Sequence, residues 1–180
     1  MIVLFLANGF EEVEAIAPLD LMRRAGLDVI TVGIGGKEIT GAHGITLQAD
    51  LSEEEYSPSV SPELVFLPGG MPGTLNLAAS DTVIDAIRTA TERGAYIAAI
   101  CAAPSILGDM GLLAGKEAIC YPGFEDRLTG ATVSRNKVVR DGKILTAAGM
   151  GVAVEFGLLI VETLCGKEQA EALRHATIAD

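Results

Sequence analysis

Cys101 stands between an apolar run, Ala95-Tyr96-Ile97-Ala98-Ala99-Ile100, and a stretch, Ala102-Ala103-Pro104-Ser105-Ile106-Leu107, that reads as the start of a helix. A strand that turns directly into a helix exposes its hinge side chain, and the turn is so crowded that only small residues fit around it. Ala99 and Ala103, two residues to either side, meet that condition. Amides at the start of the next helix favour an anion, so this thiol is expected to titrate below a free cysteine and to serve as a nucleophile. The competing reading, a buried structural cysteine, is disfavoured by the small residues on both sides.

A thiolate needs a proton partner. Of the two histidines, His43 lies in the turn Gly41-Ala42-His43-Gly44 and His175 near the chain end. Neither is at the carboxyl end of a strand, so a Cys-His-Asp triad is poorly supported and both read as surface or interface residues. Glu11, Glu12 and Glu14, at the start of the first helix, are better partners. The helix dipole alone accounts for Glu11 and Glu12. Glu14, one turn further in, is placed to point back toward Cys101, where burial beside a thiolate would raise its pKa and let it hold a proton. Residue types alone do not choose among the three. In Pro68-Gly69-Gly70-Met71 the glycines permit close backbone approach, and the Gly70 and Ala102 amides make a candidate oxyanion hole. The plainer reading is a turn that needs glycine.

Other chemistries find less support. Cys101, Cys120 and Cys165 form an odd set without a C-x-x-C pair, which argues against a disulfide framework and a zinc site and fits a reducing cytoplasm. Gly33-Ile34-Gly35-Gly36 lacks the dinucleotide spacing and leads into a hairpin, and no phosphate-binding G-x-x-x-x-G-K motif is present. No metal or cofactor is therefore expected. With 24 acidic and 13 basic residues the formal charge is -11, so nucleic acid and anionic membrane are unfavourable partners. The N-terminal apolar run lacks a basic flank and stops at Asn8-Gly9, too early for a signal peptide, and Val152 to Leu164 is short and carries two glutamates.

The elements that must hold these residues follow from the apolar pattern. With 49% hydrophobic residues, 4% aromatics and no tryptophan, the core must be built mainly of Ala, Val, Ile and Leu, a palette suited to buried parallel strands. Strands are expected at 2–7, 27–32, 64–67, 96–100 and 118–121, helices at 11–25, 82–93, 151–165 and 167–176, and hairpins at 39–47 and 137–146. Ser52 to Pro62 reads as an exposed connection. The alternation implies an α/β doubly wound, mostly parallel sheet with helices on both faces, a single domain over residues 1–180. Ligands in such sheets sit outside the carboxyl ends of the strands, which would gather the glutamates, the Gly69-Gly70 turn and Cys101.

Four segments, Gly9-Phe10-Glu11-Glu12-Val13-Glu14, Asp20 to Gly26, Leu67-Pro68-Gly69-Gly70 and Ala98 to Pro104, resemble the ThiJ/PfpI superfamily and, within it, its DJ-one branch. The similarity extends through Asp141 to Thr146 and Glu155-Phe156. It implies a flavodoxin-like homodimer in which Glu14 is protonated and hydrogen-bonds Cys101. It also implies a cofactor-free enzyme of the glyoxalase III or deglycase type that converts methylglyoxal or glyoxal to a 2-hydroxy acid. There Cys101 is the nucleophile, Glu14 the proton shuttle, and Gly69, Gly70, Ala102 and Tyr121 bind substrate or its oxyanion. A redox-sensing stress protein or chaperone acting through Cys101 oxidation is the alternative. Ala102 stands where the protease-like branch has histidine, so peptidase activity is the weaker inheritance, and Tyr121 stands where some relatives carry an auxiliary histidine.

Overall fold

Six consecutive apolar residues that are all buried cannot be a strand with one wet face, and β1 (Ile2–Ala7) accordingly runs through the middle of the molecule. Its alternate side chains feed two cores: Val3, Phe5 and Ala7 on one face, Ile2, Leu4 and Leu6 on the other. The structure, a computed structural model, describes residues 1–57 and 61–179.

After β1 come α1 (Glu12–Arg24), β2 (Val29–Ile34), a side hairpin of β3 (Glu38–Thr40) and β4 (Thr46–Gln48), and β5 (Leu51–Ser52). There follow β6 (Leu64–Leu67), α2 (Gly73–Ala78), α3 (Asp81–Glu92), β7 (Tyr96–Ile100) and α4 (Pro104–Asp109). The chain closes with β8 (Glu117–Ala118), β9 (Thr132–Val133), β10 (Val138–Asp141), β11 (Ile144–Ala147), α5 (Ala153–Cys165) and α6 (Lys167–Thr177). The main sheet has the order β10-β11-β7-β6-β1-β2-β5 and is parallel except for the β10–β11 hairpin. One core takes Val83, Ile87 and Ala90 of α3 with Ile106 and Leu107 of α4; the other takes Ala15 and Met22 of α1 with Phe156 and Ile160 of α5. Helices thus cover both faces, the flavodoxin-like arrangement expected.

The differences from the sequence expectation are local. β2 begins two residues late: the Leu27 amide closes the end of α1 on Met22 O, and Asp28 O accepts the Ile2 amide at the foot of β1. The segment after Ser52 is not simply exposed: Tyr56 is buried edge-on against Phe5, ring centroids 5.4 Å apart. Residues 58–60 of that segment lie outside the described residues. Of the strand expected at 118–121 only Ala118 is paired, with β9, because the Tyr121 amide instead donates to Cys101 O at 2.7 Å. That bond docks the following loop beside Cys101. α2 was not foreseen.

Candidate functional site

The carboxyl ends of β1, β6, β7 and β11, neighbours in the sheet, deliver four loops to one place. Cys101 follows β7 directly and has φ 66°, the left-handed region. For a residue with a side chain this costs roughly 1–2 kcal/mol. The turn is held by its neighbours: the Cys101 amide donates to Ala147 O at 2.8 Å, and Cys101 O accepts from Tyr121 N. The thiol remains partly exposed.

Glu14 is 1% exposed, in the first turn of α1. Its Oε2 accepts the Gly69 amide at 3.0 Å, and its carboxyl also hydrogen-bonds the Cys101 side chain and the Met150 backbone. Gly69 is what lets these groups meet. A Cβ there would stand 2.6 Å from both Cys101 Cβ and Glu14 Oε2. Gly70 has φ 92° and packs on the chain of Phe10 and Glu11, so a side chain is excluded twice over. The backbone of Gly70 and of Ala102 hydrogen-bonds the Cys101 sulfur.

Burial disfavours charge on both partners. It pushes the Glu14 carboxyl up to about 7, against the pull of the Cys101 and Gly69 hydrogen bonds. The Cys101 thiol is pushed up to about 12 by burial first and the Glu14 charge next, with the Gly70 and Ala102 amides pulling the other way. The expectation of a cysteine titrating below a free thiol is thereby corrected. It weighed helix amides and left out burial, and α4 is only 6 residues long, too short for much dipole. The two groups instead form one coupled acid. Charge on either group opposes charge on the other, and the carboxyl, at about 7, is the first of the two to ionise.

Tyr121 is 51% exposed and lines the rim. Its ring stands 3.3 Å from where a Cβ on Gly149 would be, opposite Glu14 Oε1 at 3.8 Å from the same point. The loop of Gly149 and Met150 was missed in the sequence. Its one signal is a Gly-Met-Gly segment immediately after an apolar strand.

Glu11 and Glu12 part company. Glu11 caps α1, its side chain accepting the Val13 amide at 3.4 Å, as the helix-dipole reading has it. Glu12 is 3% exposed and grips the β3–β4 loop instead. Its Oε1 accepts the amides of His43 at 2.8 Å and Ile45 at 3.3 Å, while Oε2 lies 2.9 Å from His43 Nδ1. His43 is thus exposed, as expected, but anchored.

A thiol against a buried carboxyl, with two backbone amides beside the sulfur, is an arrangement able to add to a carbonyl. Among the described residues no helix is long and apolar enough to cross a membrane.

Comparison with known proteins agrees with the fold. The model of the DJ-1/PfpI family matches residues 1–163. Protein DJ-1 homolog B of Arabidopsis thaliana is 38% identical over 168 residues, 92% of this chain but 38% of that longer relative. The glutathione-independent glyoxalase DJR-1.2 of Caenorhabditis elegans is 30% identical over 174 residues, 96% of this chain and 92% of the relative. The solved structure of oxidized Toxoplasma gondii DJ-1 superposes with a TM-score of 0.94 at 31% identity, covering 98% of this chain and 97% of that one.

Proposed function

The chain belongs to the DJ-1/PfpI family, and from that premise we propose that it is a cofactor-independent cysteine enzyme of reactive carbonyls, converting methylglyoxal or glyoxal to a 2-hydroxy acid. The observation that carries this reading is the packing of the buried Glu14 carboxyl against Cys101 at Gly69, where a Cβ would stand 2.6 Å from both side chains. The glyoxalase activity in the name of the nematode relative supports it.

In the reaction, the Cys101 thiol passes its proton to the Glu14 carboxylate as the sulfur adds to the aldehyde carbon. The amides of Gly70 and Ala102 donate to the new alkoxide, which takes the Glu14 proton. The Glu14 carboxylate then removes the hydrogen on the former aldehyde carbon, giving an enediolate, and returns that proton to the adjacent carbon while the hydroxyl proton passes from the first oxygen to the second. One carbon is oxidised as its neighbour is reduced, so no external oxidant is needed. Water cleaves the resulting 2-hydroxyacyl thioester, and one of its protons restores the thiol. Tyr121, half exposed, forms the outer wall. The same sulfur, flanked by amides and a protonated carboxyl, could instead hold a sulfinate, and a structural neighbour in an oxidized state favours that second, sensing role.

The working unit in this reading is one domain, residues 1–180, paired as a homodimer in a reducing cytoplasm. Exposed apolar side chains on elements around the site, Val13, Ile16, Ile45, Met150 and Val154, support pairing, and three free cysteines support the compartment. Glutathione-free production of lactate from methylglyoxal tests the activity. Turnover by the wild type and none by Cys101→Ser is the expected result; equal rates would remove Cys101 from the mechanism.

A further inference from the structure

Beside the proposed reaction centre, and unused by it, three donor atoms from two separate elements converge. His43 Nδ1, on the β3–β4 loop, is 2.9 Å from Glu12 Oε2 and 3.1 Å from Glu11 Oε2 at the start of α1. All three donor atoms lie within 4.8 Å of one another. We propose that Glu11, Glu12 and His43 bind a first-row divalent metal ion of the zinc or cobalt kind, with solvent in the remaining positions.

Geometry supports this first. Bonds of about 2.0–2.2 Å around a tetrahedral ion put neighbouring donors roughly 3.4 Å apart. His43 Nδ1, at 2.9 and 3.1 Å from the two carboxylate oxygens, needs to move by only a few tenths of an ångström to meet that spacing. The ligands are also aimed in advance. Glu12 is buried, and its Oε1 is occupied by the His43 and Ile45 amides, which fixes the other oxygen toward the imidazole. Gly41 presses on the same carboxylate, for a Cβ there would lie 2.3 Å from Glu12 Oε1. Such outer contacts are what orient metal ligands elsewhere.

Charge supports it independently. Two carboxylates meet here, one of them desolvated, yet among the described residues neither forms an ion pair with a lysine or arginine; His43 is the cationic partner available to both. A divalent ion would neutralise both in a chain of formal charge -11. The His43 side chain is 71% exposed in the single chain. Two carboxylate oxygens with one imidazole nitrogen suit a borderline divalent ion better than a thiophilic one. Binding forms three coordinate bonds and releases to solvent any proton that Nδ1 carries.

Cobalt(II) titration followed by visible absorption, with zinc(II) calorimetry alongside, tests the site. The expected result is one ion per chain without the charge-transfer band of thiolate ligation, unchanged in Cys101→Ser. His43→Ala and Glu11→Gln, both partly exposed positions, should each weaken binding by at least about tenfold, the lower end for lost ligand support. His43→Ala keeps its amide bond to Glu12, so the loop remains anchored. Binding that survives both substitutions, that disappears in Cys101→Ser, or that is absent from the wild type overturns the proposal. None of these readouts depends on aldehyde turnover, so the site and the glyoxalase reading stand or fall separately.

Discussion

Replacing Glu14 by glutamine keeps the shape of the side chain and an acceptor for the Gly69 amide, but removes a carboxyl that burial has pushed from 4.5 up to about 7. In the unfolded chain that carboxyl ionises at its ordinary value, so the folded state binds the proton more tightly and stability becomes linked to pH. A group raised in this way contributes stability that is fully present below 4.5 and lost as pH climbs through about 7. The gap between the two values corresponds to about 3 kcal/mol of folding free energy. Glutamine carries no charge at any pH and escapes the loss. Urea unfolding of wild type and Glu14→Gln across the range from about pH 4 to about pH 8 measures the difference directly. The stability of the variant relative to wild type should shift by about 3 kcal/mol in its favour toward alkaline pH. Catalysis should move the opposite way, falling about 10²-fold or more, because an amide cannot exchange a proton. Parallel stability profiles for the two proteins would refute the assignment of Glu14 as a buried carboxyl that resists ionisation.

Gly69→Ala should destabilise the fold by about 1–3 kcal/mol and depress turnover, since overpacking at a Cβ 2.6 Å from Cys101 Cβ drives the thiol and Glu14 apart; thermal unfolding and steady-state rates check it, and a wild-type rate would count against this geometry. Tyr121→Phe should lower the rate several-fold at most and Tyr121→His should be tolerated, whereas abolished turnover with an intact fold would make Tyr121 a catalytic group. Under mild peroxide, mass spectrometry should find sulfinic acid on Cys101 before Cys120 or Cys165. Cys120 is 2% exposed, whereas the Cys101 sulfur is partly exposed and lies beside the Gly70 and Ala102 backbone.

The parts of this molecule that were legible in the sequence are those set by local pattern. Consecutive apolar residues marked β1, β6 and β7, and small residues around Cys101 marked the elbow, because sterics at a sharp turn act on immediate neighbours. α2 was illegible because Gly73-Thr74-Leu75-Asn76-Leu77-Ala78 is too short to show a helical period and carries no charged residue. β8 and β9 are 2 residues each and pair only because the chain is already folded around them. The acidity of Cys101 could not be read at all. Burial is a property of the whole assembly, and it outweighs the backbone donors that sequence reasoning could place. The grip of Glu12 on His43 joins positions 31 residues apart, and neither residue type signals the other. The identity of Glu14 as the partner of Cys101 came from family resemblance; three glutamates stood within one turn, and only the geometry at Gly69 separates them.

The central claim is that Cys101 and Glu14 act as one acid that gives up its first proton near neutrality. The pH dependence of kcat/KM for methylglyoxal reports ionisations of the free enzyme and tests that claim directly. Activity should rise about tenfold per pH unit on the acid side and level off above about 7, where the pair first carries its single charge. A profile that is flat through neutral pH, or one whose midpoint falls at the ordinary free-thiol value of about 8.5, would contradict it.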